Sequence, residues 1–156
     1  MKKKVLFVCW GNICRSPSAE AVFNAVVKKA GLESEFEIDS AGTIAAHSGE
    51  RADARMRRHA ERRGYDLTSI SRKIKPYDFD YFDYIVAMDE NNVGDLLFLS
   101  RSESDRNKIT KMTDYCTKYK STSVPDPYYG GADGFELVLD LLEDACEGLL
   151  NHIENN

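Results

Sequence analysis

The stretch from Lys4 to Pro17 constrains this chain more than any other. Val5 to Val8 is a short apolar run of the kind that forms a buried parallel strand. Gly11 and Asn12 break the run, and both tolerate a left-handed backbone. Ser16 and Pro17 then read as a helix start, with Ser at the cap and Pro at the first helical position. The segment is strand, tight loop, helix. Cys9 ends the strand and Arg15 opens the helix, with five residues between them.

That order of elements carries a chemical consequence. A loop feeding a helix N-terminus aims several backbone N–H groups at one spot, and the helix dipole adds positive potential there. Such a nest holds a tetrahedral oxyanion. Arg15 adds a two-pronged grip that a lysine does not match. A helix N-terminus and a nearby guanidinium also favour thiolate over thiol. Ser16 is placed to donate its hydroxyl to that sulfur. A thiolate beneath a bound phosphate is the arrangement needed for a phosphocysteine intermediate. The plainer reading is a buried strand-end cysteine and a solvated arginine, and the surrounding strand, Gly-Asn and Ser-Pro argue against it.

Composition narrows the setting. The 156 residues suit one domain, residues 1–156, with room for a real core. The net charge of −5 gives no reason to expect nucleic acid as a partner. Lys2 to Lys4 resemble the charged start of a signal peptide, but the apolar run ends at Trp10, short of the ~7–15 residues required. No stretch approaches the ~20 apolar residues of a membrane span. Cys9, Cys14, Cys116 and Cys146 match neither a zinc site nor a disulfide scaffold, which points to a reducing cytoplasm. His47, His59 and His152 show no metal spacing.

Along the chain, helix and strand patterns alternate. Ala19, Val22, Phe23, Val26, Val27 and Ala30 predict a helix over 17–30, stopped by Gly31. Phe36 to Ala41 predicts a strand, with Ser40 and Gly42 at its end. Residues 50–63 predict a helix with six arginines, read as a solvated face partnered by Glu50, Asp53 and Glu61 rather than as a substrate surface. Tyr84 to Met88 predicts a third strand, 90–99 a helix, and 108–112 a short fourth strand. Residues 113–131 read as a long loop, a length that is usually functional. Phe135, Val138, Leu139, Leu142, Cys146, Leu149, Leu150 and Ile153 trace one face of a last helix, which assigns Cys146 to the core. Such alternation predicts a parallel sheet covered on both faces, with ligands beyond the strands' carboxyl ends. Cys9, Ser40 and Met88-Asp89 share that edge.

These residues resemble the low-molecular-weight protein tyrosine phosphatases. C-W-G-N-I-C-R-S-P-S-A-E (Cys9 to Glu20) and V-P-D-P-Y-Y-G-G (Val124 to Gly131) are similar to the family's two signatures. I-D-S-A-G-T, S-R-K and Y-I-V-A-M-D, at Ile38, Ser71 and Tyr84, match in the same order. The resemblance implies a flavodoxin-like three-layer α/β sandwich, a four-stranded parallel sheet with helices on both faces. It implies Cys9 as nucleophile, Arg15 as phosphate clamp, Asn12 and Ser40 as loop supports, Ser16 as thiolate partner and Asp126 as general acid, then base. The backbone from Trp10 to Arg15, including Ile13, would cradle the oxygens, and Tyr128 and Tyr129 would wall the cleft. Cys14 would be a redox partner of Cys9. No metal or cofactor is expected. Tyrosine-phosphorylated proteins or small aryl phosphates are the expected substrates, inorganic phosphate the product, and the chain a monomer or weak dimer without a membrane partner.

Asp126 also follows from chemistry, since a phenol leaves poorly unless protonated as it departs. Its flanking prolines, Pro125 and Pro127, stiffen the backbone that places it, although a turn aspartate looks the same in isolation. Trp10 and the run Ala45-Ala46-His47 depart from the family pattern, which bears on substrate preference rather than chemistry. Three other readings use the same loop. An arginine phosphatase would carry Thr where Ile13 stands, a thiol-linked arsenate reductase would need a cysteine pair near residues 80–90, and a phosphate-binding module would have no use for both Cys9 and Asp126.

Overall fold

The computed structural model of the chain describes residues 1–128 and 130–155. Four strands, β1 (Lys3–Cys9), β2 (Phe36–Gly42), β3 (Tyr84–Ala87) and β4 (Ile109–Lys111), form one sheet in the order β2-β1-β3-β4. Every pairing is parallel, with Phe7 between Ser40 and Val86. The helices are α1 (Arg15–Lys29), α2 (Ala54–Arg62), α3 (Pro76–Tyr81), α4 (Glu90–Leu99), α5 (Glu103–Asn107) and α6 (Ala132–Glu154).

β1 is central because its apolar run serves two layers. Val5 and Phe7 join a core with Val22 and Phe23 of α1 and Leu139 and Leu142 of α6. Leu6 and Val8 join the opposite core, with Phe79 of α3 and Leu96 of α4. Successive strand side chains point to opposite faces, so one short run anchors both layers. The structure is therefore the expected α/β sandwich, and no described helix is long and apolar enough to cross a membrane.

The boundaries shift for identifiable reasons. α1 begins at Arg15 rather than Pro17, with Cys14 at the cap and no side-chain cap bond. Pro17 is still in the first turn, where a missing N–H costs nothing. The Ser16 hydroxyl does not cap; it turns toward Cys9. α2 is shorter than the expected 50–63, because the Asp53 carboxylate caps it by accepting from the amides of Arg55 and Met56. The long loop opens with a single 3₁₀ turn, Met112–Tyr115, packed against α6. A Cβ on Gly148 would lie 1.8 Å from the Tyr115 carbonyl oxygen, so α6 meets this turn backbone to backbone. Asp144 of α6 then accepts from the amides of Lys118 and Tyr119 at 2.9 and 3.0 Å. α3 and α5 escape a periodicity reading, being only 6 and 5 residues long.

The strand order reverses direction between β1 and β3. Open parallel sheets bind ligands beyond their carboxyl ends at such a switch point. Cys9 ends β1 there, and Asp89 follows β3 there.

Candidate active site

The loop after β1 owes its shape to bonds made outside itself. Asn12 sits at φ 57°, the left-handed turn that folds the loop back. Thr43 and Ile44 donate their amides to the carbonyls of Cys9 and Trp10, at 3.0 and 3.2 Å. The Ser71 hydroxyl donates to the Gly11 carbonyl at 2.9 Å, and the Asp53 amide to the Ile13 carbonyl at 2.8 Å. Ser18 covers the Cys14 carbonyl at 2.6 Å. With these carbonyls tied outward, the amides turn inward. Among the described residues none of the amides from Gly11 to Cys14 donates to a protein acceptor. The result is a cup of N–H groups at a helix N-terminus. Gly42 is part of this construction: a Cβ there would lie 2.7 Å from the Trp10 carbonyl oxygen and 3.1 Å from the Asn12 nitrogen.

A buried chain of hydrogen bonds runs to the sulfur. The Asn12 amide group donates to Ser16 Oγ at 2.7 Å and to Ser40 Oγ at 3.0 Å, while its carbonyl accepts from the Arg72 amide at 3.1 Å. Ser40 donates in turn to Glu20 Oε1 at 2.6 Å. Because Ser16 Oγ already accepts from Asn12, its own proton is directed outward. Cys9 Sγ lies 3.0 Å away, against 3.4 Å for the Ala41 carbonyl. Glu20 is the member that the sequence reading missed, although it closes the quoted motif. Burial is the largest influence on its carboxyl and lifts it to about 7; the Ser40 hydrogen bond opposes this and the Asp39 charge adds to it.

Arg15 is buried and held by two acceptors. Its Nη1 donates to Asp89 Oδ2 at 2.6 Å and to the Val124 carbonyl at 3.0 Å. Its Nη2 lies 3.6 Å from Asp126 Oδ2. Asp126 is about one-third exposed and accepts from the Tyr128 amide at 3.0 Å. The acid's loop is fastened at both ends. The Val124 amide donates to the Met88 carbonyl at 2.8 Å, and Arg55 donates to the Tyr128 carbonyl at 3.1 Å. Arg55 is thus more than a solvated arginine, although Asp53 is its ion partner as expected. The partner expected of Glu50 is different: it faces His47. Arg63 reaches across to Glu136, Asp140 and Glu143 of α6.

Cys9, Arg15 and Asp126 converge on one pocket of about 170 Å³. Trp10, His47 and Tyr128 form its aromatic rim, with His47 and Tyr128 rings 6.1 Å apart. Of the run Ala45-Ala46-His47, Ala46 and His47 line the pocket, and Trp10 is half exposed at the lip. Gly11, Ile13 and Cys14 line the floor. Cys14 is a free thiol, and burial followed by the Asp53 charge pushes it well up, so it stays protonated. Tyr129, the second expected wall, lies outside the described residues. Among the described residues no group of three or more His, Cys, Asp or Glu side chains is arranged to hold a metal ion.

The comparisons with known proteins agree with this geometry. The model of the low molecular weight phosphotyrosine protein phosphatase family matches residues 4–156. A putative low molecular weight protein-tyrosine-phosphatase of Synechocystis is 46% identical over 150 residues, covering 96% of both chains. The human low molecular weight phosphotyrosine protein phosphatase is 38% identical, with 95% of this chain and 94% of that one covered. A crystal structure of a protein tyrosine phosphatase from Entamoeba histolytica superposes with a TM-score of 0.97 at 51% identity, covering 99% of this chain and 98% of that one. A match of this length, on a fold whose switch point carries the loop, makes the chain a member of the low molecular weight phosphotyrosine protein phosphatase family.

Proposed function

We propose that this chain, as one phosphatase domain over residues 1–156, hydrolyses phosphotyrosine and related aryl phosphates through a phosphocysteine. One observation carries the reading: a thiol, a guanidinium and a carboxyl line the same pocket, each held by its own set of bonds. The phosphoryl oxygens sit against the inward amides and Arg15, which meet the charge of the transition state without reorganising. The Cys9 sulfur attacks phosphorus in line, and the P–O bond to the ring breaks opposite. Asp126 delivers its proton to the departing phenol oxygen. The Asp126 carboxylate then takes a proton from water as the water oxygen attacks phosphorus. The P–S bond breaks, inorganic phosphate leaves and the thiolate is restored, with the Ser16 hydroxyl donating to it.

The tyrosine ring packs against the rim formed by Trp10, His47 and Tyr128, where aromatic faces favour another ring. Cys14 is the redox partner in this reading, since a second thiol beside the nucleophile can trap an oxidised sulfur as a disulfide. The test is turnover of p-nitrophenyl phosphate and of phosphotyrosine and phosphoarginine peptides, side by side. The aryl and phosphotyrosine substrates should react, with accumulation of a phosphoenzyme on rapid quenching. Cys9→Ser should abolish both the turnover and the phosphoenzyme. An active Cys9→Ser protein, or a preference for phosphoarginine, would overturn the reading.

A further inference from the structure

Behind the Tyr128 wall lies a second cleft, of about 340 Å³, between α2 and the start of α6. One bank presents Arg55, Arg58, His59 and Arg62; the other is made by Gly131 and Phe135. Arg55 is answered by Asp53 and His59 by Glu136. Arg58 and Arg62 are exposed and four residues apart, on one face of α2, and among the described residues neither makes an ion pair. This is a local reversal of sign, in a chain with 26 acidic against 21 basic residues.

The cleft adjoins the catalytic pocket through the contact of Arg55, which lines the cleft, with Tyr128, which lines the pocket. Arg55 donates to the Tyr128 carbonyl and lies 5.4 Å from the centre of the Tyr128 ring, and Tyr128 itself lines the pocket. A substrate chain leaving the pocket over Tyr128 therefore runs toward Arg58 and Arg62. Past Trp10, where Arg15 is already answered by Asp89, the neighbouring cleft has the other sign. A cleft of about 520 Å³ there is lined by Asp89, Glu90 and Asp95. A negative flank is attracted on one side of the pocket and repelled on the other, and together these set the direction in which the substrate lies.

We propose that the α2–α6 cleft is a subsite for a second anionic group, a carboxylate or phosphate carried by the same substrate chain as the phosphotyrosine. The proposal rests on the phosphotyrosine reading above. Guanidinium groups suit such oxyanions because their fork offers paired N–H donors.

The experiment compares kcat/KM for phosphotyrosine peptides that carry Glu on the N-terminal side, Glu on the C-terminal side, or Gln at all those positions. The wild type should favour one of the two acidic peptides by roughly threefold to tenfold over the Gln peptide, and added salt should shrink the gain. The double variant Arg58→Gln/Arg62→Gln should lose the gain. Its turnover of p-nitrophenyl phosphate, which reads the phosphatase activity separately, should be unchanged. Loss of that basal turnover in the wild type would instead indict the phosphatase reading. An acidic peptide without phosphotyrosine, added separately, should leave turnover of the Gln peptide unaltered. The absence of any acidic preference, its survival in the double variant, or a response to the separate peptide would each overturn the proposal.

Discussion

The loop that holds Cys9 and the loop that holds Asp126 meet in one pocket but are built on opposite principles. The first is buried, and its carbonyls are bound by Thr43, Ile44, Asp53 and Ser71, from outside the loop. The second is exposed along much of its length and is fastened at Val124 and Tyr128. Charge stabilisation depends on dipoles that are already aimed, so the anion cup needs many bonds and little freedom. In the proposed reaction, proton delivery needs one carboxyl at the right distance, and that carboxyl recovers its proton from the attacking water in the second step. A lesion in the cup should therefore damage activity and stability together. A lesion in the acid loop should damage activity alone.

The sharpest break comes from the acid itself. Asp126→Ala should lower kcat by roughly 10²- to 10⁴-fold on aryl phosphates with strongly basic leaving groups, and far less on activated ones. Its unfolding free energy should move by less than ~0.5 kcal/mol. A leaving-group series and a denaturant titration check the two halves, and a large stability loss would erase the contrast. In the cup, Gly42→Ala drives a methyl against the Trp10 carbonyl. It should cost on the order of 10²-fold in kcat/KM and about 1–3 kcal/mol of stability at once. Unaltered kinetics would mean that the loop has more slack than its bonds imply.

Glu20 sharpens the same contrast through pH. Its folded value, about 7, lies above the ordinary 4.5, with burial the main cause. The native state thus keeps a proton that the unfolded chain has released. The contribution is present in full below about 4.5 and is lost as pH rises through about 7. The loss attributable to this group should reach up to ~3 kcal/mol. Asp39 and Arg72 also act on this carboxyl, and Ser40 donates a hydrogen bond to it. Glu20→Gln should flatten that part of the stability profile between pH 5 and 8, as followed by urea unfolding at each pH. An unchanged slope would remove Glu20 from the account. The smallest expected effect is Arg55→Gln, which unfastens the Tyr128 carbonyl. A fall of roughly threefold to tenfold in kcat, with stability within ~1 kcal/mol of wild type, is expected.

Much of this contrast is legible in the sequence. Strand, Gly-Asn loop and Ser-Pro helix start sit within fourteen consecutive residues, where local backbone preference and hydrophobic pattern agree. The place of Asp126 beside Cys9 and Arg15 is signalled in the sequence by the two prolines that frame it. That of Glu20 is not, because an acid on a helix gives no local sign of what it will touch; the 2.6 Å bond to Ser40 joins residues 20 positions apart. Asp89 was placed at the right edge, yet its grip on Arg15 spans 74 positions. Arg55 does not stand out in the sequence, since six arginines in one helical stretch look alike until a neighbour chooses among them.

The sequence by itself determined the alternation of elements, the central strand, the loop from Cys9 to Arg15 and the proline-framed Asp126, because each rests on contacts between near neighbours or on the reach of one side chain. Only the tertiary structure decided which carbonyls are tied outward, which carboxyl is buried behind Ser40, and which arginines are left facing a cleft. Those outcomes depend on segments far apart in the chain arriving within 3 to 4 Å of one another, and no local pattern carries that information.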